Sequence, residues 1–280
     1  MEQGKMSKIT AVFTDLDGTV LRNDKSISQR TMDAIQRFRE QGGIWAVATA
    51  RPEIAIKRYK ELLEADALIT LNGARIKIGN NVVSNGFSAE NAHHLLSELL
   101  QKKDLMIVLE TSKGIFANME IPEWNAPNTP DLLALLSTCD IYKILLAGRD
   151  HRLFSITEPT EHLCESALIP DRIRNTIKTN NLSEDAYFTV AEGWLYQIMS
   201  KKATKWNGVR MVLEEKGILP ENAMYFGDDH DDVESIRYIG QGVAMGNAIE
   251  EVKKVAKMIT ATNEEDGVAQ ILESPHRYFA

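Results

Sequence analysis

Two cysteines in 280 residues are too few for a disulfide framework, and Cys139 and Cys164 stand without the paired spacing of a structural zinc site. Both read as incidental thiols. Long apolar runs are also missing: none approaches the length that crosses a bilayer, and the N-terminus carries no basic segment leading into an apolar core. No membrane span or secretory leader is expected, and the cytoplasm is the default location. Positive charge is in deficit, with 32 Lys and Arg against 40 Asp and Glu for a formal net charge of -8. That argues against nucleic acid as a partner, because its binders present a concentrated basic face. An anionic substrate would need a local cation working against the global field. Repeats and low-complexity tracts are missing as well. A composition of 44% hydrophobic and 26% charged residues describes an ordinary globular protein, in one large domain or two smaller ones.

What is present is concentrated first in Val12-Phe13-Thr14-Asp15-Leu16-Asp17-Gly18-Thr19. Ile9 to Thr14 has the β-branched and aromatic enrichment of a buried strand, so two carboxylates stand at a strand tip. Ser28 then caps a helix with Met32, Ile35 and Phe38 on one face, Gly42-Gly43 ends it, and Ile44 to Thr49 reads as a second buried strand. A strand, helix and strand of these lengths make a right-handed βαβ unit, which puts Thr49 at the sheet edge that carries Asp15. Pro52 is placed to open a helix running to about Glu64, and Ala67 to Leu71 reads as a third strand ending in Asn72-Gly73.

From about Asn85 the rhythm changes. Ser88 to Lys102 reads as a helix, and its adjacent His93 and His94 belong to an amphipathic pattern that gives them a surface or half-buried place. Leu105 to Leu109 and Ile115 to Asn118 read as strands, and Thr129 to Leu136, Tyr142 to Ala147, Leu163 to Lys178 and Ala186 to Ala191 continue a mixture of helices and strands. After Trp194 to Met199 the first pattern returns: Lys205 opens a helix to about Lys216, and Ala223 to Phe226 forms a strand that runs into Gly227-Asp228-Asp229-His230-Asp231-Asp232. Gly242 to Met245, Ala248 to Val255 and Met258-Ile259 carry the alternation toward the end. The expected fold is α/β, a Rossmann-like parallel-sheet core built from 1–84 plus 192–280, with an α+β cap inserted over 85–191.

The acidic residues of the second cluster also follow an apolar strand, so Asp228 and its neighbours should share an edge with Asp15 and Asp17. Pooled carboxylates must either raise their pKa values or be neutralised, and a divalent cation with oxygen ligands is the least costly neutraliser. Carboxylates for a cation, the Thr49 hydroxyl with adjacent backbone N–H groups, and Lys205 at a helix start together suit phosphoryl transfer, which is mostly positioning and charge neutralisation. A phosphate ester is the substrate type these residues predict.

Asp15-Leu16-Asp17-Gly18-Thr19, Thr49, Lys205 and Gly227-Asp228…Asp232 resemble, in order and spacing, the four motifs of the haloacid dehalogenase superfamily, and most of all its Cof-type phosphatases with a large α/β cap. The resemblance covers the whole chain, with support from Leu71-Asn72-Gly73-Ala74, Gly242 to Ala248 and Asn263 to Val268. It implies hydrolysis of small phosphate monoesters (sugar phosphates, nucleotides or cofactor phosphates) with Mg²⁺ through an aspartyl-phosphate. Asp15 would be the nucleophile, Asp17 the general acid and base, and Lys205 a charge neutraliser on nucleophile and phosphate. Asp15, Asp228 and the backbone carbonyl of Asp17 would hold the metal, with Asp232 orienting Lys205 or a metal-bound water. Thr49, the backbone after it at Ala50, and Lys205 would bind the phosphate, with Asp231 beside them. The implied partner is a small phosphorylated metabolite, and the implied assembly a monomer or small homo-oligomer. A phosphomutase or phosphotransferase of the same superfamily would share these motifs, and a Mg²⁺-dependent sensor of a phosphorylated metabolite would need no nucleophile.

Two positions depart from the pattern. Ala50 stands where these enzymes usually have Gly, so a methyl would crowd the site if that glycine conformation were special. Asp231 stands where they usually have Asn; an amide can donate to phosphate, and an ionised Asp cannot. In the insert, Glu110, Asn118, Glu123 and Trp124 could line a cleft, and each reads as an ordinary surface or packing residue.

Overall fold

Four buried residues, Ala11 to Thr14, form the central strand β1 of the computed structural model, which describes residues 8–59, 64–149, 168–191 and 193–274. The chain divides into two compact units, Met1–Val83 with Thr204–Ala280, and Ser84–Ala203.

In the first unit β1 lies between two parallel neighbours, β2 (Ile44–Ala48) and β11 (Ala223–Gly227), with Thr14 opposite both Val47 and Phe226. The eight-stranded sheet runs β13 (Met258–Ile259), β12 (Gln241–Ala244), β11, β1, β2, β3 (Ala67–Thr70), β4 (Arg75–Ile78), β5 (Asn81–Ser84). The strands from β13 to β3 are parallel, and β4 is antiparallel to β3. From β1 the chain adds strands on one side through β2 and β3, and on the other through β11, β12 and β13. The order therefore reverses at β1, and the crevice beyond the carboxyl ends of β1 and β11 is where open sheets of this kind bind ligands.

Helix α1 (Gln29–Glu40) starts where Ser28 accepts a hydrogen bond from the Thr31 N–H, and it buries Ala34, Ile35 and Phe38 against the sheet. Pro52 precedes a 3-10 turn over Glu53–Ile56; the expected helix to about Glu64 crosses 60–63, outside the described residues. The hairpin-like pair β4 and β5 was not anticipated, although Arg75-Ile76-Lys77-Ile78 alternates in burial as a half-buried strand should.

The second unit is built on a five-stranded sheet in the order β7 (Gly114–Ala117), β6 (Leu105–Thr111), β8 (Ile141–Gly148), β10 (Leu195–Ser200), β9 (Ala186–Ala191), with every neighbouring pair antiparallel. Helices α2 (Ala89–Leu99) and α3 (Ile169–Thr179) cover one face. His93 and His94 are exposed on α2, as expected. The strand β10 corrects the sequence reading: it pairs with β8 and β9, so residues 195–200 belong with the insert and not with the core to which 192–280 was allotted. The pairing with β8 is non-local, and nothing in the six residues Leu195–Ser200 says which sheet takes them. Thr129 to Leu136 contributes a 3-10 turn at Leu133–Ser137. Cys139 is a half-buried free thiol, whereas Cys164 and the start of the Leu163 to Lys178 segment lie outside the described residues.

Candidate active site

The three central strands deliver three functional groups to one edge. Asp15 follows β1 and its N–H donates to the Phe226 carbonyl at 3.0 Å, Thr49 follows β2 and its N–H donates to the Ile69 carbonyl at 2.8 Å, and Asp228 follows β11. Lys205 comes from the first position of α4 (Lys205–Lys216), which Thr204 caps by accepting from the Asn207 N–H and Gly217 closes in the left-handed conformation.

Lys205 is 1% exposed and its ammonium lies 3.1 Å from Asp15 Oδ1, 3.0 Å from Asp231 Oδ1 and 2.8 Å from Asp232 Oδ1. Burial alone would push this amine down, but Asp15, Asp231 and Asp232 outweigh it and hold the ammonium charged well above its ordinary range. The acids feel the opposite imbalance. Burial raises Asp15 well above the carboxylate range; Lys205 opposes the rise, and Asp232, Asp231 and Asp228 add to it. Asp228 is pushed up to about 7 by burial and by Asp232, against the hydrogen bond that Thr19 Oγ1 donates to its Oδ1 at 2.8 Å. One buried lysine does not neutralise this many acids, so the arrangement is short of positive charge.

A divalent cation fits that shortage. Asp15, Asp228 and Asp232 each offer a carboxylate oxygen, all within 4.8 Å of one another. Of the three, Asp232 is the most committed elsewhere: its Oδ1 accepts from Lys205 and from the Tyr225 hydroxyl at 2.6 Å, and its Oδ2 from the N–H groups of Asp228 and Asp229 at 3.0 and 3.2 Å. Four donors make it the post that fixes Lys205 and the Asp228 loop, and leave Asp15 and Asp228 as the carboxylates with room for an ion. Gly18, at φ 72°, lets the loop pass Asp228 where a Cβ would collide with that carboxylate, and its carbonyl accepts from Asn247 at 2.8 Å.

The Asp17 side chain takes another direction. Arg51 grips both of its oxygens, at 2.6 and 2.7 Å, and Lys25 adds a contact at 2.8 Å. Burial pulls Asp17 up, but these two cations outweigh it and keep the carboxyl below its ordinary range. The Thr49 hydroxyl accepts from the Arg51 N–H at 3.2 Å, which stiffens the turn after β2. Ala50 is exposed in that turn and is not among the residues with positive φ, so alanine occupies the glycine position without backbone strain.

Arg51, Lys25, Thr19 and Tyr225 join the site in the structure without being candidates in the sequence. Arg51 and Thr19 sit inside strings whose neighbours were already assigned, and that adjacency was the available signal. Lys25 lies in a loop with nothing to mark it, and Tyr225 reads as one more apolar strand residue. In the insert, Asn118 is a structural clamp, accepting from the Ile107 N–H and donating to the Leu105 carbonyl at 2.9 Å each.

Known proteins resemble this chain along nearly its full length. A 5-amino-6-(5-phospho-D-ribitylamino)uracil phosphatase of Bacillus subtilis is 28% identical over 94% of this chain and 96% of its own. Two solved structures from Bacteroides thetaiotaomicron share the fold: a haloacid dehalogenase-like hydrolase at TM-score 0.78 and 24% identity, covering 95% of this chain and 99% of that one, and a phosphatase of the same superfamily at TM-score 0.76 and 21% identity, covering 98% and 97%. The model of one family, the haloacid dehalogenase-like hydrolases, matches residues 12–272, and the chain belongs to that family.

Proposed function

We propose that this hydrolase cleaves small phosphate monoesters with Mg²⁺ through an aspartyl-phosphate on Asp15. The observation that carries the reading is the buried Lys205 ammonium 3.1 Å from Asp15, at a sheet edge where Asp228 and the Thr49 turn converge. A carboxylate held against a fixed cation is placed to attack a phosphorus whose oxygens need the same positive charge. The phosphatase activity named for the 28% identical relative points the same way.

In the first step an Asp15 oxygen forms a bond to phosphorus, the ester P–O bond breaks, and the departing alkoxide takes a proton from Asp17. In the second, Asp17 accepts a proton from water, whose oxygen attacks phosphorus; the Asp15–phosphorus bond breaks and inorganic phosphate leaves. Asp17 alternates between acid and base, and each half-reaction restores the state the other needs. Arg51 and Lys25 favour the ionised form and so the base half; the acid half needs Asp17 to leave the Arg51 grip. Thr49 and the N–H of Ala50 would hold phosphate oxygens, while Lys205 offsets charge on both nucleophile and phosphate. Mg²⁺, held by Asp15, Asp228 and the Asp17 carbonyl, would supply Lewis-acid neutralisation of the transferring group. Asp232 keeps Lys205 in place, and Asp231 adds negative charge on the lysine's other side.

Phosphate release over a panel of metabolite monoesters with Mg²⁺, repeated with a chelator and with Asp15→Asn, tests the reading. Release is expected to vanish under both controls. Release that survives either one contradicts the mechanism.

A further inference from the structure

The turn that carries Asp17 closes on itself and is then tied to the far end of the chain. The Leu16 carbonyl accepts from the N–H groups of Thr19 at 3.3 Å and Leu21 at 2.8 Å, and Asp17 pairs with Leu21 as an isolated bridge. Two of the turn's other carbonyls are taken by asparagine side chains. Asn247 Nδ2 donates to the Gly18 carbonyl at 2.8 Å, and Asn263 Nδ2 donates to the Leu21 carbonyl at 2.9 Å. The two asparagines are themselves joined, because the Asn263 N–H donates to Asn247 Oδ1 at 3.0 Å. One linked pair thus grips the turn at the residue after Asp17 and at the bridge partner of Asp17.

Both anchors are fixed in turn. The loop around Asn247 is seated on the tip of β11, where the Met245 N–H donates to the Gly227 carbonyl and the Ile249 N–H to the Asp228 carbonyl, at 3.0 Å each. Asn263 is buried, and its segment meets the chain after the turn again: Glu264 Oε1 accepts from the Asn23 N–H at 2.7 Å, and Asp266 pairs with Arg22 at 2.8 Å. A side-chain amide suits the bridging place, since it accepts with one atom and donates with the other. Asn247 is exposed, so its two hydrogen bonds add little to stability; what they set is a position, that of the Gly18 carbonyl relative to the Asp228 loop.

The Asp17 carboxylate has no such permanence. Arg51 and Lys25 hold it ionised, and to act as an acid it must let Arg51 go. A side chain that gives up its partners stays on target only if its backbone is held by groups that do not leave with them. The asparagine bonds end on main-chain carbonyls, so they persist while the carboxylate changes partners. We propose that Asn247 and Asn263 are positioning residues that hold Asp17 in place for proton transfer to the departing alkoxide. The proposal rests on the phosphatase reading, in which Asp17 is the acid.

The test uses the full chain with Mg²⁺ and compares p-nitrophenyl phosphate, whose nitrophenolate leaves without a proton, with phenyl phosphate and glycerol 3-phosphate, whose leaving groups need one increasingly. Release of the alcohol is followed, so that kcat/KM reads the first step alone. In Asn247→Ala the ratio of kcat/KM for p-nitrophenyl phosphate to that for the poorest leaving group cleaved is expected to rise about fivefold or more, in the direction taken by Asp17→Asn and by less. Asn263→Leu should raise it too. A merely structural role would lower both constants by one factor, through the folded fraction, and leave the ratio where it was. An unchanged ratio in Asn247→Ala, beside a raised one in Asp17→Asn, overturns the proposal and spares the phosphatase reading. An unchanged ratio in Asp17→Asn, or a wild-type chain that cleaves neither phenyl phosphate nor glycerol 3-phosphate, means that the reading with Asp17 as its acid has failed, and the proposal falls with it.

Discussion

Under the proposed function, Asp231 is the residue beside Lys205 whose charge would oppose an anionic substrate. Its carboxylate shares Lys205 with Asp15 and Asp232, and it helps push the Asp15 carboxyl up. Asp231→Asn removes one negative charge from the lysine and puts an amide donor beside the phosphate position. KM for a good substrate should fall about threefold to tenfold at matched Mg²⁺ in steady-state assays, the scale of one partly exposed charge; an unchanged or raised KM contradicts this. Arg51 is the second test at this scale. Burial drives Asp17 up and the Arg51 and Lys25 contacts overcome it, so Arg51→Met lets burial count for more. The limb of the kcat–pH profile that follows Asp17 should move to higher pH, and a profile that does not move would detach Asp17 from that limb. The acids themselves were legible in sequence because carboxylates at strand tips are chemically conspicuous. Arg51, Lys25 and Tyr225 were not, because each acquires its function from a partner that only folding supplies.

Elements with strong local signals were legible almost to the residue. Helix α4 runs from Lys205 to Lys216 as its periodicity predicts, between the Thr204 cap and Gly217. The strand β10 joins the insert sheet by pairing with the preceding β9 and with β8, whose opposed residues lie about 50 positions away, a choice made by tertiary packing. Packing of α4 also supplies a prediction. Gly73, at φ 93°, lies where a Cβ would run into the Thr204 carbonyl, immediately before Lys205. Gly73→Ala should therefore destabilise the fold by about 2 kcal/mol or more in urea titration, from positive-φ strain plus the clash. It should lower kcat as well, because the displaced helix start carries the lysine. Loss of stability with unchanged kcat in the folded fraction would show that Lys205 is held by its carboxylate partners and not by the helix start.

At the scale of the molecule the crowded carboxylates couple folding to pH and, under the proposed Mg²⁺ binding, to metal. Asp228 titrates near 7 in the folded state, against about 3.9 for an unperturbed Asp. The native chain thus binds the extra proton between those values, and this group's contribution to metal-free stability falls as pH rises through that window. A cation that binds the ionised form must displace the proton below 7. The rise in melting temperature on adding Mg²⁺ should consequently be larger at pH 7.5 than at pH 5.5, and should shrink in Asp228→Asn. Equal increments at the two pH values would place the ion elsewhere.

The overall architecture was legible because parallel βαβ units bring their strand tips to one edge whatever the insert between them does. Within it, the proposed covalent catalysis by Asp15 is isolated by one variant. In Asp17→Asn the water-activating base is gone, yet p-nitrophenolate leaves without needing a proton, so the first step can proceed while the second stalls. Rapid acid quench of this variant with p-nitrophenyl phosphate and Mg²⁺, followed by peptide mass spectrometry, should find a phosphoryl group on Asp15 at close to one per chain. No covalent phosphoryl group despite nitrophenolate release, or one on any other residue, would contradict the account.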